Sequence, residues 1–388
     1  MQSAGDRPGG PASGGVRARM QQLIYGFAFS QALYVAARLR LADILAGGPR
    51  SVRELAAATG AHQPSLYRLL RALAFAGLVD QPEPDTFELT EQGELLRSGL
   101  VGSLRELVLL LAGPETWRAW GELEHSVRTG EVAWQRVFDE TCFDHLARDP
   151  DRQSAFNAAM AEGTRAFVPT LLAATDLATA KSVVDVGGGS GALLAGILSA
   201  YPRMTGVLLD TAPGLADAPR TLAQAGVADR CRLVPGDFFR SVPAGADAYL
   251  LKHVLHDWDG ERCVQILRTC LEAMREDAVL LVIESLMPAT VTGAPRLAQL
   301  VTNDLNMMVC HGGRERTVAE FGELLRQAGL RLESVTPCPA PSTVGILEAR
   351  PTGDAARPAA TTAATTAATT AATTATRTER AVEAPVGP

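Results

Sequence analysis

The segment Val183-Val184-Asp185-Val186-Gly187-Gly188-Gly189-Ser190-Gly191 constrains this chain most, because few folds admit an apolar run that breaks into four glycines within five positions. β-Branched valines favour a strand, and glycine reaches positive φ without steric cost, so the run reads as a strand entering a turn whose backbone can approach a ligand closely. Ala192–Ala200 continues as a helix. Further apolar runs at Thr205–Asp210, Cys231–Pro235, Ala248–Leu251 and Val279–Glu284 alternate with helical stretches. Strands separated by helices build βαβ units, so the expected class is α/β, with a mostly parallel sheet covered on both faces.

A chain of 388 residues exceeds what one core usually holds, which favours two domains. From about Arg17 to Leu100 the pattern is short helices followed by a small hairpin: Leu66, Leu69, Leu70 and Leu73 recur at helical spacing, and Ser51 with Glu54 forms a capping box. Gly77-Leu78-Val79 and Phe87-Glu88-Leu89-Thr90 supply a wing, so 17–103 reads as a winged-helix domain. Such a module can bind DNA, and Arg68 and Arg71 stand where a recognition helix would carry them. Acids and arginines are nearly balanced there and the whole chain carries −7, so the electrostatic drive for DNA is missing and packing or dimerisation is the expected role. A helical connector is expected over 104–174 and the sheet domain over 175–350. The segments 1–16 and 351–388, the latter with its Ala-Thr repeats, are expected to be disordered. Apolar runs such as Leu107–Ala112 are too short to span a bilayer, and the Gly- and Pro-rich start does not resemble a signal peptide, which points to the cytosol. Six scattered cysteines without a Cys-x-x-Cys pair suggest buried thiols and no metal.

Asp210 ends the second strand nineteen positions after Gly191, where a carboxylate can accept from both hydroxyls of a ribose. Gly187, Gly189 and Ala192 also satisfy a loose dinucleotide pattern, so a nicotinamide oxidoreductase competes. Asp185, two positions before the first glycine, and Gly236-Asp237-Phe238-Phe239 after the third strand favour S-adenosylmethionine: Asp237 can accept from the adenine amine and Phe238 can stack on the ring. The fourth strand ends in Lys252-His253-Val254-Leu255-His256-Asp257-Trp258, and ligand crevices of such sheets open at the carboxyl ends of the strands. A phenol attacks a methyl carbon far better as phenolate, and histidine is the natural general base. His256 is the expected base, with His253 as its rival. Glu284 and Glu315 can reach its second ring nitrogen.

These residues resemble the family of plant-type and bacterial small-molecule O-methyltransferases, which includes caffeate-type and antibiotic-tailoring enzymes. The likeness runs from about Tyr25 to Arg350 and rests on Asp185–Gly191, Gly236-Asp237-Phe238, Lys252 to Trp258 and Gly312-Gly313-Arg314-Glu315-Arg316-Thr317. It implies a winged-helix dimerisation domain, a Rossmann-like methyltransferase domain, a homodimer, and methyl transfer to a hydroxyl of a small aromatic acceptor. On this resemblance Gly187, Asp210, Asp237, Phe238 and Lys252 match cofactor residues, His256, Glu284 and Glu315 match the base and its carboxylates, and Met160 and Met307 match the grip on the acceptor. Asn303, in Asn303-Asp304-Leu305-Asn306, and Asp257 are further expected acceptor contacts. The amides of that segment depart from the plant pattern. The family also includes members that bind the cofactor without methylating.

Overall fold

The computed structural model describes residues 13–353, so most of the two segments expected to be disordered, 1–12 and 354–388, lies outside the described residues. The first helix begins at Ser13 and runs to Arg38, a single element of 26 residues rather than a series of short helices. A small antiparallel sheet of β1 (Arg50–Ser51), β2 (Val79–Glu83) and β3 (Thr86–Leu89), in the order β1-β3-β2, forms the wing. Between β1 and β2 lie the helices Val52–Thr59 and Gln63–Phe75, turned at Gly60 with φ 68°. The predicted capping box is formed: Glu54 N donates to Ser51 Oγ at 3.3 Å and Ser51 N to Glu54 Oε2 at 2.8 Å. Leu55, Leu66, Leu70, Leu73 and Phe87 close the core of this domain.

The second sheet has seven strands: β4 (Ser182–Val186), β5 (Thr205–Asp210), β6 (Cys231–Pro235), β7 (Ala248–Lys252), β8 (Val279–Ser285), β9 (Leu330–Pro337) and β10 (Val344–Pro351). Their order is β6-β5-β4-β7-β8-β10-β9. β4 to β8 pair in parallel, and the edge pair β9 and β10, which the sequence reading did not anticipate, is antiparallel. The chain leaves β4 toward β6, then crosses back to β7 on the other side. That reversal opens a crevice at the carboxyl ends of β4 and β7. Nearly every residue of β4, β7 and β8 is buried, as expected of strands with helices on both faces, and two apolar clusters fill the two layers.

Short helices of the connector pack over this crevice. Ala119, Trp134, Cys142 and Leu146 share a cluster with Val309 and Cys310 of the helix Ala298–Cys310. The helix Pro150–Ala174 is tied to the loop after β5 through buried Asn157, whose Nδ2 donates to Gly214 O at 3.3 Å. All six thiols are free, and Cys231 alone is half-buried rather than buried.

Candidate active site and family

The turn after β4 is built by backbone strain that glycine absorbs: Gly187, Gly189 and Gly191 have φ of 72°, 55° and 74°. Gly188 serves packing instead, since a Cβ there would lie 2.4 Å from Asp185 Oδ2 and from Leu208 Cδ1. A Cβ on Gly189 meets nothing within 4 Å, so this glycine faces open space. Asp210 Oδ2 accepts from Gly189 N at 2.8 Å and its Oδ1 from Thr211 N at 2.7 Å, which fixes the carboxylate at the strand end with lone pairs to spare. The Phe238 ring borders the loop: its Cε1 lies 3.5 Å from the position of a Cβ on Gly187. Asp237 is exposed, and its Oδ1 accepts from Phe239 N at 2.9 Å.

Asp185 is buried, and Oδ2 has no hydrogen-bond partner. Burial pushes its carboxyl up to about 7 against the pull of Lys252. Burial draws the Lys252 ammonium down to about 8, opposed by Glu284 and Asp185. Lys252 Nζ donates to Thr164 Oγ1 at 3.3 Å and to His253 Nδ1 at 3.2 Å. These residues fit a nucleoside bearing a positive centre: an aromatic face, a ribose-ready carboxylate, an open glycine backbone and an unpartnered buried acid lie around one turn.

Beyond β7 the chain makes a tight turn at Leu255–Asp257 that carries His256. His256 Nδ1 and Glu315 Oε1 are 3.0 Å apart, and Glu284 Oε2 lies at 3.8 Å from the same nitrogen. Glu284, with no exposed surface, spends Oε1 on the backbone instead: it accepts from Val254 N (3.0 Å), Leu255 N (2.8 Å) and His256 N (3.4 Å). Both acids expected near the base are therefore there, one on the ring and one mainly beneath the turn. His256 Nε2 makes no hydrogen bond among the described residues and has Asp257 Oδ1 at 3.7 Å. Burial disfavours charge on this ring, yet Glu284, Asp257 and Glu315 outweigh it and lift the imidazole to about 10. The rival His253 stacks on His256 with ring centres 5.3 Å apart. Burial and the Lys252 charge hold it well below the usual histidine range, and it sits at φ 51°, an uncommon conformation for a side-chain-bearing residue.

Asn303, expected on the acceptor, donates through Nδ2 to Glu315 Oε1, while Asp304 Oδ1 accepts from Glu315 N at 2.8 Å. Asn306 Oδ1 accepts from Trp120 Nε1 at 3.0 Å. The amides of this helix thus brace the carboxylate and the connector. Met307 is buried, whereas Met160 on the helix Pro150–Ala174 is 40% exposed. Around Trp258 gathers an aromatic group that sequence reasoning did not assemble: Phe143 stacks on it at 5.8 Å and contacts Phe156 at 6.2 Å and His311 at 4.9 Å. Arg316 was also missed. It is 1% exposed, beside Glu315 in the glycine-led motif, and nothing in the sequence distinguishes it from exposed Arg314.

Comparison with known proteins agrees with this geometry. The O-methyltransferase domain family matches residues 120–331, and the O-methyltransferase dimerisation domain matches residues 21–99. The phenazine O-methyltransferase of Lysobacter antibioticus is 41% identical over 330 residues, covering 85% of this chain and 95% of that protein. The solved methyltransferase CalO6 is 60% identical, with a TM-score of 0.62 over 86% of this chain and 99% of its own. An O-methyltransferase from neocarzinostatin biosynthesis, solved with S-adenosylmethionine and 2-hydroxy-5-methyl naphthoic acid, is 37% identical, with a TM-score of 0.72 over 84% and 96%. The nicotinamide alternative left open by the glycine loop falls away. Matched in both its dimerisation and its catalytic domain, the chain belongs to the S-adenosylmethionine-dependent O-methyltransferase family.

Proposed function

We propose that this enzyme methylates a hydroxyl of a small aromatic natural product, with His256 as general base. The observation that carries this reading is the asymmetry of the His256 ring: Nδ1 is held at 3.0 Å by Glu315 Oε1, while Nε2 keeps its hydrogen-bonding capacity. A base needs one nitrogen oriented and the other available. Asp210, the 187–191 backbone, Asp237, Phe238 and Lys252 hold the cofactor, which supplies an electrophilic methyl on a sulfonium. Buried Asp185, its carboxyl lifted to about 7 by burial, lies beneath that loop. The rings of Phe143, Phe156 and Trp258 offer flat apolar surface to an aromatic acceptor, with Met307, Met160 and Asp257 as further contacts. The aromatic compounds printed with these relatives, a phenazine in the name of one and a bound naphthoic acid in the structure of another, are of this kind.

His256 takes the hydroxyl proton on Nε2. Glu315 fixes the ring and, with Glu284 and Asp257, stabilises the imidazolium that results. Alignment of the acceptor against the methyl carbon contributes the larger share of the rate, up to ~7–11 kcal/mol in well-oriented systems. The test is incubation of purified enzyme with methyl-labelled S-adenosylmethionine and a panel of hydroxylated polycyclic aromatics, followed by mass spectrometry. Label on an aromatic hydroxyl is the expected result. Label on no member of the panel would defeat the acceptor assignment.

The functional unit is a homodimer formed through the first helix. Val16, Met20, Leu23 and Phe27 lie at spacings of four, three and four and form one apolar stripe, each more than half exposed. A monomeric protein rarely leaves such a patch in water, and the residues fall within or beside the matched dimerisation domain. Met20→Glu with Leu23→Glu is expected to convert the dimer to a monomer-sized species in light scattering. An unchanged mass would move the interface elsewhere.

A further inference from the structure

Arg316 is a buried cation whose Nη1 and Nη2 donate to backbone carbonyls. It is 1% exposed, and its guanidinium donates to Leu255 O at 2.8 Å, Trp258 O at 2.6 Å and Arg314 O at 3.3 Å. Burying a charge is costly, so something must compensate it; the Glu320 carboxylate is near enough to feel this cation, but the direct partners of the guanidinium are carbonyls. Peptide dipoles do so here. The two carbonyls held most closely, those of Leu255 and Trp258, bracket His256.

The amides of the same turn face the other way. Those of Val254, Leu255 and His256 converge on Glu284 Oε1, a carboxylate as buried as the guanidinium. Burial lifts the Glu284 carboxyl to about 7 against the pull of His256, so above that pH an anion collects N–H groups at one end of the turn and a cation collects C=O groups at the other. Each charge is solvated by dipoles that the other also orients, so the arrangement favours a single orientation of the turn. The segment that delivers Arg316 also presses on this turn directly: a Cβ on Gly313 would lie 2.0 Å from His256 O.

We propose that Arg316 is a positioning residue for His256, closing with Glu284 a clamp of opposite charges across the turn that carries the base. This rests on His256 being the base. Lysine is a poor substitute, because a single ammonium on a flexible stem cannot serve two carbonyls in the fixed geometry of a guanidinium fork.

A double-mutant cycle tests the clamp. Arg316→Met and Arg316→Lys are made alone and with His256→Ala, and kcat, acceptor KM and affinity for S-adenosylhomocysteine are measured for each. Arg316→Met is expected to lower kcat about 10²-fold, the scale of a small misplacement of a reacting group, with acceptor KM and S-adenosylhomocysteine affinity unchanged. Arg316→Lys recovers part of the loss. In the His256→Ala background either substitution changes kcat little, because no base remains to be misplaced. An equal fall with and without His256, or a parallel fall in S-adenosylhomocysteine affinity, overturns the clamp and makes Arg316 a residue of the fold. Should Arg316→Met fail to fold, the cycle with Arg316→Lys decides by the same criterion. Wild-type turnover in His256→Ala alone would instead remove the base assignment.

Discussion

His256→Ala is expected to lower kcat for a phenolic acceptor by ~10²–10⁴-fold near neutral pH while leaving S-adenosylhomocysteine affinity unchanged. The pH dependence makes this assignment specific. The surrounding carboxylates lift the imidazole to about 10, so in the resting enzyme it is charged at neutral pH. Imidazolium with phenolate contains the same protons as imidazole with phenol, and either pair gives the reacting complex. At low pH both partners are protonated, one proton too many, so log kcat/KM rises with unit slope toward the lower of the two pKa values. Between the two values it is level. Above the higher one it falls. For an acceptor more acidic than the ring, that alkaline fall belongs to His256 and begins at about 10. His256→Ala should abolish it, leaving a profile that rises to the acceptor's own pKa and stays there. A rate comparison with isotope-labelled methyl donor across the alkaline range checks both points, and a variant that keeps the alkaline fall would mean another group is titrating.

Glu284→Ala is expected to damage stability and turnover together. The substitution strips the shared acceptor from three amides of a buried turn, and each buried donor left unsatisfied costs ~1–3 kcal/mol. A clear fall in the thermal midpoint with nearly complete loss of transfer should follow. Glu284→Gln separates the two roles, because its amide oxygen can still accept from the turn while the negative charge is gone. Among the separate influences that raise the His256 pKa, the charge of Glu284 is the largest. Its removal should therefore leave the glutamine variant folded and active, with the alkaline limb of kcat/KM displaced below about 10. Melting curves and pH profiles of the two variants, compared side by side, decide the matter. An alkaline limb unmoved in Glu284→Gln would mean that the charge on Glu284 does not act on the base.

The sequence announced the parallel sheet with little ambiguity. β4, β7 and β8 are nearly continuous apolar runs, the pattern of strands covered on both faces, and the bounds of β4 to β8 agree with the expected segments to within one residue. The edge pair β9 and β10 escaped notice because β9 mixes exposed and covered positions and β10, though without an exposed residue, is interrupted by Gly345, Glu348 and Arg350, so neither gives such a run. The first helix was legible as helical but not as one long element. Its apolar stripe faces outward, and outward faces are set by a partner that local periodicity does not encode.

The chemistry at the site divides in the same way. Residue types at strand ends announced a nucleoside cradle and a histidine with acids within reach, because parallel strands bring their carboxyl ends to one crevice whatever the details of packing. Only the folded chain decided which acid does what. Glu284 and Glu315 lie 31 positions apart, yet one supports the turn's amides while the other holds the ring, and Asn303, expected on the acceptor, braces Glu315. Arg316 shows the limit most clearly. Arginine in a polar motif reads as surface, and its burial against the carbonyls flanking His256 arises from contacts between residues about sixty positions apart. Sequence carries the local preferences and the alternation that assemble the sheet; the direction of a side chain within the crevice depends on several segments packing at once, and that is settled only in the tertiary structure.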